Sequence, residues 1–191
     1  RMCGRYTLYS EKKIKSKFDT KIIKNFNISP RQKVLIINEN FSPMFCKWGI
    51  SSNWNGKKHT IINARHETVN SKKIFKDLKR CIFVADGYYE WINRGKEKVP
   101  YYHFLKDEML YFAGLYNQSE CCIITQESNN YLSIIHNRQP YFIKEENIEL
   151  WLKREEDNID FRDILHFYPV SNQVNRIWEN NANLIKGISL N

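Results

Sequence analysis

The sequence contains no C-x-x-C pair, no apolar run approaching 18 residues, and none of the G-x-S-x-G, P-loop or G-x-G-x-x-G signatures. The three missing motifs leave α/β-hydrolase, P-loop nucleotide and dinucleotide chemistry without support. The missing apolar run and the lack of a signal peptide exclude a membrane helix and a secretory leader as expectations. Cysteine is sparse, odd in number (five) and badly spaced for pairing, with Cys121 and Cys122 adjacent. That pattern is neither a disulfide framework nor a zinc ribbon, so a soluble protein in a reducing, cytoplasmic setting is expected, with no metal and no cofactor. There are also no repeats, low-complexity stretches or long linkers.

What is present is the composition of a folded domain. Within 191 residues, 42% are hydrophobic and 14% aromatic, which predicts one domain spanning 1–191 with a proper core. Thirty Lys and Arg against 21 Asp and Glu leave a net charge of +9, which favours a polyanionic partner such as nucleic acid. Abundant Lys, Asn and Ile partly reflect genome base composition and dilute that signal.

Along the chain, Ser10 is read as the N-cap of a Lys-rich helix with Ile14 and Phe18 on one face. Strands are expected at 34–37, 41–50 (carrying Trp48), 81–85, 88–91, 121–125, 140–143 and 167–170, with a hairpin formed by 101–105 and 109–115. Residues 51–58 read as a loop bearing Trp54, and Asp86-Gly87 as a turn or bulge. Short helices are expected after Ser71, at 148–153 and at 161–165. About eight strands mixed irregularly with three or four helices predict an α+β fold: a curved, mostly antiparallel, partly closed sheet with helices packed outside.

Four stretches concentrate polar residues among apolar ones. In Cys3-Gly4-Arg5, removal of Met2 would leave an α-amine (reference pKa about 7.7–8.0) beside a thiol (about 8.5), a pair suited to capturing an aldehyde as a thiazolidine. The alternative is a small buried cysteine at a strand end. In Asn63-Ala64-Arg65-His66-Glu67-Thr68, Asn at position 70 breaks H-E-x-x-H, which argues against zinc. In Asp86-Gly87-Tyr88-Tyr89-Glu90-Trp91, a strand puts Tyr88 and Glu90 on one face, and a carboxyl among aromatics is expected to have a raised pKa suited to proton shuttling. An edge-strand Glu in water or in an ion pair is the competing possibility. His136, after the apolar Ile134-Ile135, is on its own more often structural than catalytic.

Read in order, MCGRY, NISP, KWGI, NARHETV, ADGYYEW, VPYY, FAGLY, HNRQP and YPVSNQVN resemble the SOS-response-associated peptidase (SRAP) family, whose members sense abasic sites in single-stranded DNA. The resemblance covers nearly the whole chain. It implies that Cys3 attacks the ring-opened aldehyde of an abasic deoxyribose and becomes thiazolidine-linked to it. It also implies that Asn63 positions the terminus or sugar, that Glu90 exchanges protons with the amine and the departing hydroxyl, and that His136 assists ring opening or protonates an oxygen. Arg5, Arg65 and Arg138 are implied phosphate-binding residues. Trp48, Trp54 and Trp91 are candidates to stack on or wedge beside bases, against the alternative of ordinary aromatic packing. The implied partner is single-stranded DNA containing abasic sites, bound by a monomer that joins the nucleoid when on DNA, during a DNA-damage or SOS response.

This chain departs from the family pattern at three places. Ser51-Ser52-Asn53 precede Trp54 where a proline is common, which predicts a more mobile loop; Gln139 replaces a methionine. Arg1 stands ahead of Met2 and is expected to be a remnant of expression, leaving Cys3 without a free amine. Two other functions compete with the cross-linking reading: a thiol peptidase or autoprotease using Cys3, and a non-catalytic single-strand binder.

Overall fold

The computed structural model describes residues 2–155 and 165–190. Its strands are β1 (Tyr6–Leu8), β2 (Asn25–Ile28), β3 (Lys33–Ile37), β4 (Pro43–Trp48), β5 (Ile50–Trp54), β6 (Lys57–Ile61), β7 (Asn63–Arg65), β8 (Lys79–Ala85), β9 (Gly87–Arg94), β10 (Glu97–Phe104), β11 (Leu110–Tyr116), β12 (Glu120–Glu127), β13 (Arg138–Pro140) and β14 (His166–Pro169). Two α-helices, α1 (Glu11–Phe18) and α2 (Ile148–Leu152), and five short 3-10 turns complete the regular structure of the described residues.

Strands β11, β8, β3, β4 and β12 form a ring, because β12 pairs with β11 as well as with β4. The expected partly closed sheet is therefore a closed five-stranded barrel, extended by β7 and β13 on β12. Closure removes sheet edges that would otherwise present unpaired backbone. It also explains why Cys81 to Ala85 reads as an unbroken apolar run: both faces of β8 are fully buried.

A second sheet, in the order β14-β10-β9-β1-β2, leans on the barrel. Its alternation is legible at Tyr88 and Tyr89. Tyr88 joins the main core, and Tyr89 joins a smaller one with Tyr102, Val170, Val174 and Leu184. Tyr6, Trp48, Phe83 and Phe112 tie sheet to barrel, with Tyr6 5.3 Å from Trp48 and 6.1 Å from Phe112 between ring centroids.

The α+β class and the strands around residues 34, 48, 83, 89, 123 and 168 match the sequence reading. Several details differ. Residues 51–58 are not a loop: β5 and β6 pair as a ribbon whose turn, Asn55-Gly56, has φ of 50° and 72°, the positive values a tight hairpin requires. Strands β10 and β11 do not form the expected hairpin; each pairs in a different sheet, joined only by the Leu105–Glu108 bridge. The helix expected after Ser71 is a single 3-10 turn, Lys73–Phe75, and Ser71 caps nothing there, its hydroxyl bonding Thr68. The strand expected at 140–143 is displaced to β13. The helix expected at 161–165 lies almost wholly outside the described residues.

Ser10 does precede α1, but its side chain does not cap the helix. Asp86 instead fixes the segment that leads into the helix, from across the sheet. Its carboxylate accepts the backbone N–H of Tyr9 (2.6 Å) and Ser10 (3.0 Å) and the Ser10 hydroxyl. At Gly87 any Cβ would sit 2.4 Å from the Tyr102 ring, so the Asp86-Gly87 pair both anchors α1 and lets β9 pass close to β10.

Candidate active site

Strand register builds the site. β1 runs antiparallel to β9 with Tyr6 opposite Tyr88 and Thr7 opposite Gly87, and the Tyr89 N–H donates to the Arg5 carbonyl at 3.0 Å. Carried on, that register would set Gly4 opposite Glu90 and Cys3 opposite Trp91; ahead of β1 the chain instead leaves the strand for a turn at Met2-Cys3, which puts the Cys3 backbone against the Glu90 side chain. The Cys3 backbone N–H donates to Glu90 Oε2 at 3.1 Å, a bond spanning 87 positions of sequence. Cys3 holds a φ of 41°, a left-handed conformation that costs a β-carbon residue about 1–2 kcal/mol and persists where surroundings impose it.

Burial sets the electrostatics. Glu90 is 3% exposed, and burial raises its pKa from 4.5 to about 7, opposed by the N–H groups of Cys3 and Trp91 that stabilise the carboxylate. The Cys3 thiol is pushed well above its ordinary range, first by burial and then by the Glu90 charge, with Arg138 pulling the other way.

Glu90, Trp91, Asn93, Lys98, His136 and Asn175 line a cleft of about 320 Å³. Burial lowers the His136 pKa, so the ring is neutral at pH 7. Its Nδ1 accepts the Arg138 backbone N–H at 3.0 Å, so the ring proton sits on Nε2 and that nitrogen is a hydrogen-bond donor. Asn63 stands on β7, opposite Ile123, and its Nδ2 is buried without a hydrogen-bond partner among the described residues. A buried amide donor left unsatisfied is costly unless a ligand atom meets it.

The cationic candidates separate. Arg65 is exposed. Arg138 is buried and held in a bidentate pair by Glu67 (2.8 and 3.0 Å), with a further bond to the Thr125 hydroxyl. That pairing, chiefly the Arg138 hydrogen bonds, lowers the Glu67 pKa to about 2. Arg5 is half-buried; its Nη1 donates to Asn27 Oδ1 (2.8 Å) and to the Val174 carbonyl, and its guanidinium lies 6.0 Å from the Trp91 ring centre.

The tryptophans separate as well. Trp54 is 71% exposed beside the ribbon turn, whereas Trp91 is partly buried at the cleft, its indole N–H on Asn175 Oδ1 at 2.8 Å. Trp48 offers no face to a base: it is fully buried in the core with its N–H on the Ile62 carbonyl, a correction in favour of ordinary aromatic packing. Gln139, in the family's methionine position, is buried and accepts the Asn129 N–H at 3.0 Å.

Sequence reasoning missed three cleft residues: Asn93, Lys98 and Asn175. The β9–β10 register sets Lys98 opposite Asn93, and Lys98 precedes the VPYY run. Asn175 ends the YPVSNQVN run, and its bond to Trp91 is tertiary and has no local signature. Among the described residues no group of three or more His, Cys, Asp or Glu is placed to hold a metal ion, and no helix is long and apolar enough to cross a membrane.

Residues 2–177 match the family described as SOS response associated peptidase (SRAP). Abasic site processing protein YoaM of Bacillus subtilis is 33% identical, covering 96% of this chain and 97% of the relative. Abasic site processing protein YoqW of Bacillus phage SPbeta is 34% identical over 97% and 99%. A solved structure from Bordetella bronchiseptica shares the fold with a TM-score of 0.74 at 19% identity, covering 88% of this chain and 100% of that one. With the signature spanning the barrel, the second sheet and every residue of the cleft, the chain belongs to the SOS response associated peptidase (SRAP) family.

Proposed function

We propose that the protein processes abasic sites in single-stranded DNA by covalent capture at Cys3, in a form whose N-terminus is Cys3 itself. The observation that carries this reading is the 3.1 Å bond from the Cys3 nitrogen to a carboxyl with a pKa of about 7. The atom that is an amide nitrogen in the chain with Met2 attached becomes the α-amine when that bond is cleaved. Relatives named for abasic site processing support the substrate.

The chemistry follows from the positions. The amine adds to the sugar aldehyde, giving a carbinolamine. Protonated Glu90 donates its proton to the carbinolamine hydroxyl, which leaves as water, and an iminium forms. The Glu90 carboxylate then takes the thiol proton, the sulfur closes on the iminium carbon, and a neutral thiazolidine results. A group titrating near 7 serves both directions of proton transfer. His136 donates a hydrogen bond from Nε2 to a sugar oxygen, and the Asn63 amide supplies a second donor. Arg65 and Trp54 meet backbone and base outside the cleft, with Arg5 and Trp91 at its edge. The reading carries with it a cytoplasmic monomer that joins the nucleoid on binding.

A thiol-first peptidase fits less well, since a buried thiol pushed upward beside an acidic group is a poor source of thiolate. The decisive experiment mixes protein of mass-verified N-terminal Cys3 with single-stranded DNA carrying one abasic site. A denaturant-resistant adduct is expected; its absence, or an equal adduct from Cys3→Ala, overturns the reading.

A further inference from the structure

Ile177 and Trp178 are 58% and 76% exposed in one turn, closed by the Glu179 N–H on the Arg176 carbonyl at 3.1 Å. Exposed indoles on mobile tails are unremarkable; this one is on a fixed backbone. The side-chain amide of Asn27, itself 1% exposed, donates to the carbonyls of Arg176 (2.9 Å) and Glu179 (2.9 Å) and, at 3.3 Å, to that of Val174. The same Asn27 accepts from Arg5. The Trp178 ring makes no hydrogen bond or ring contact among the described residues.

The turn is continuous with the cleft. Asn175, which lines the cleft and holds Trp91, is three residues from Trp178, a reach of at most about 11 Å of chain. Arg176, between them, is exposed and suits a phosphate, in keeping with a net charge of +9. An aromatic face, a cation beside it and a pinned backbone are what a sequence-tolerant single-strand site requires.

We infer that Trp178, flanked by Arg176 and Ile177, is a stacking platform for a nucleobase within a few nucleotides of the lesion. It rests on the reading of the cleft given above. Indole stacking contributes at the level of affinity, outside the bond-making steps.

The test measures binding of the intact protein to single strands containing a tetrahydrofuran abasic analogue, which cannot open to an aldehyde, with flanks lengthened one nucleotide at a time. Trp178→Ala is expected to weaken binding about 5- to 150-fold once flanks reach the platform and to leave the shortest strand unaffected, with Trp178→Phe restoring most of the loss. Equal affinity of wild type and Trp178→Ala at every length, with the wild-type adduct on a native abasic site intact, overturns the platform alone. Lost self-association in Trp178→Ala with unchanged DNA binding assigns the patch to a second copy and likewise overturns it. No binding of wild-type protein with N-terminal Cys3 to the analogue strands, and no adduct with a strand carrying a native abasic site, overturns the cleft reading and the platform together.

Discussion

The Cys3 nitrogen and Glu90 Oε2 stand 3.1 Å apart, so the Cys3 backbone N–H rests on a buried carboxyl whose pKa is raised to about 7. The pairing of β1 with β9 brings the two segments together, and the turn at Met2-Cys3 ahead of β1 completes the contact.

Stability should therefore depend on the charge of Glu90. Its folded pKa, about 7, is above the unfolded 4.5, so its contribution is fully present below 4.5 and is lost as pH rises through 7. Wild type should lose about 3 kcal/mol relative to Glu90→Gln between pH 4.5 and pH 8. Denaturant titrations of both proteins across that range check it; parallel profiles would refute the buried-acid assignment.

Glu90→Gln should slow adduct formation by a factor of about 10² to 10⁴ while leaving single-strand affinity nearly unchanged. Protein verified to retain Arg1 and Met2 should form no thiazolidine, because its Cys3 nitrogen is an amide. Gel-resolved adduct kinetics with mass-checked termini measure both, and efficient thiazolidine formation by the extended form would remove the amine from the mechanism.

Arg65 and Arg138 should behave oppositely. Arg65→Ala is expected to be neutral for folding and to reduce the salt slope of single-strand binding by about 0.7. Glu67→Ala strands the buried Arg138 guanidinium and should cost about 2 kcal/mol, less than for a fully buried pair because the Glu67 side chain is 42% exposed. Salt-dependent binding and unfolding curves separate the two roles.

For the tryptophans, Trp54→Ala should change stability by less than about 0.5 kcal/mol and weaken single-strand binding. Trp48→Ala should cost about 3–5 kcal/mol through its cavity, whatever happens to DNA binding. Thermal melts beside binding isotherms would expose a reversed pattern at once.

Much of the fold was legible because burial writes long patterns. The two-face run at residues 81–85 and the Tyr88/Tyr89 alternation each have one reading as strand. Short strands such as β7 and β13 hold too few residues for a period to show, which is why fourteen strands emerge among the described residues where about eight were expected. The β5–β6 ribbon was hidden for a related reason: it is a two-stranded sheet with an exposed outer surface, so its polar residues read as loop.

Of the site, the sequence by itself determined the reactive residue types, the aromatic setting that keeps Glu90 partly protonated, and the family pattern they belong to. Tertiary structure decided which of them meet. Strand pairing of β1 with β9 and the turn ahead of β1, not proximity in sequence, set Cys3 on Glu90, and a backbone N–H from Arg138 chose the His136 tautomer. Packing buried Trp48 and left Trp54 and Trp178 exposed. Identical side chains carry no mark of their burial, because exposure is a property of what the rest of the chain places around them.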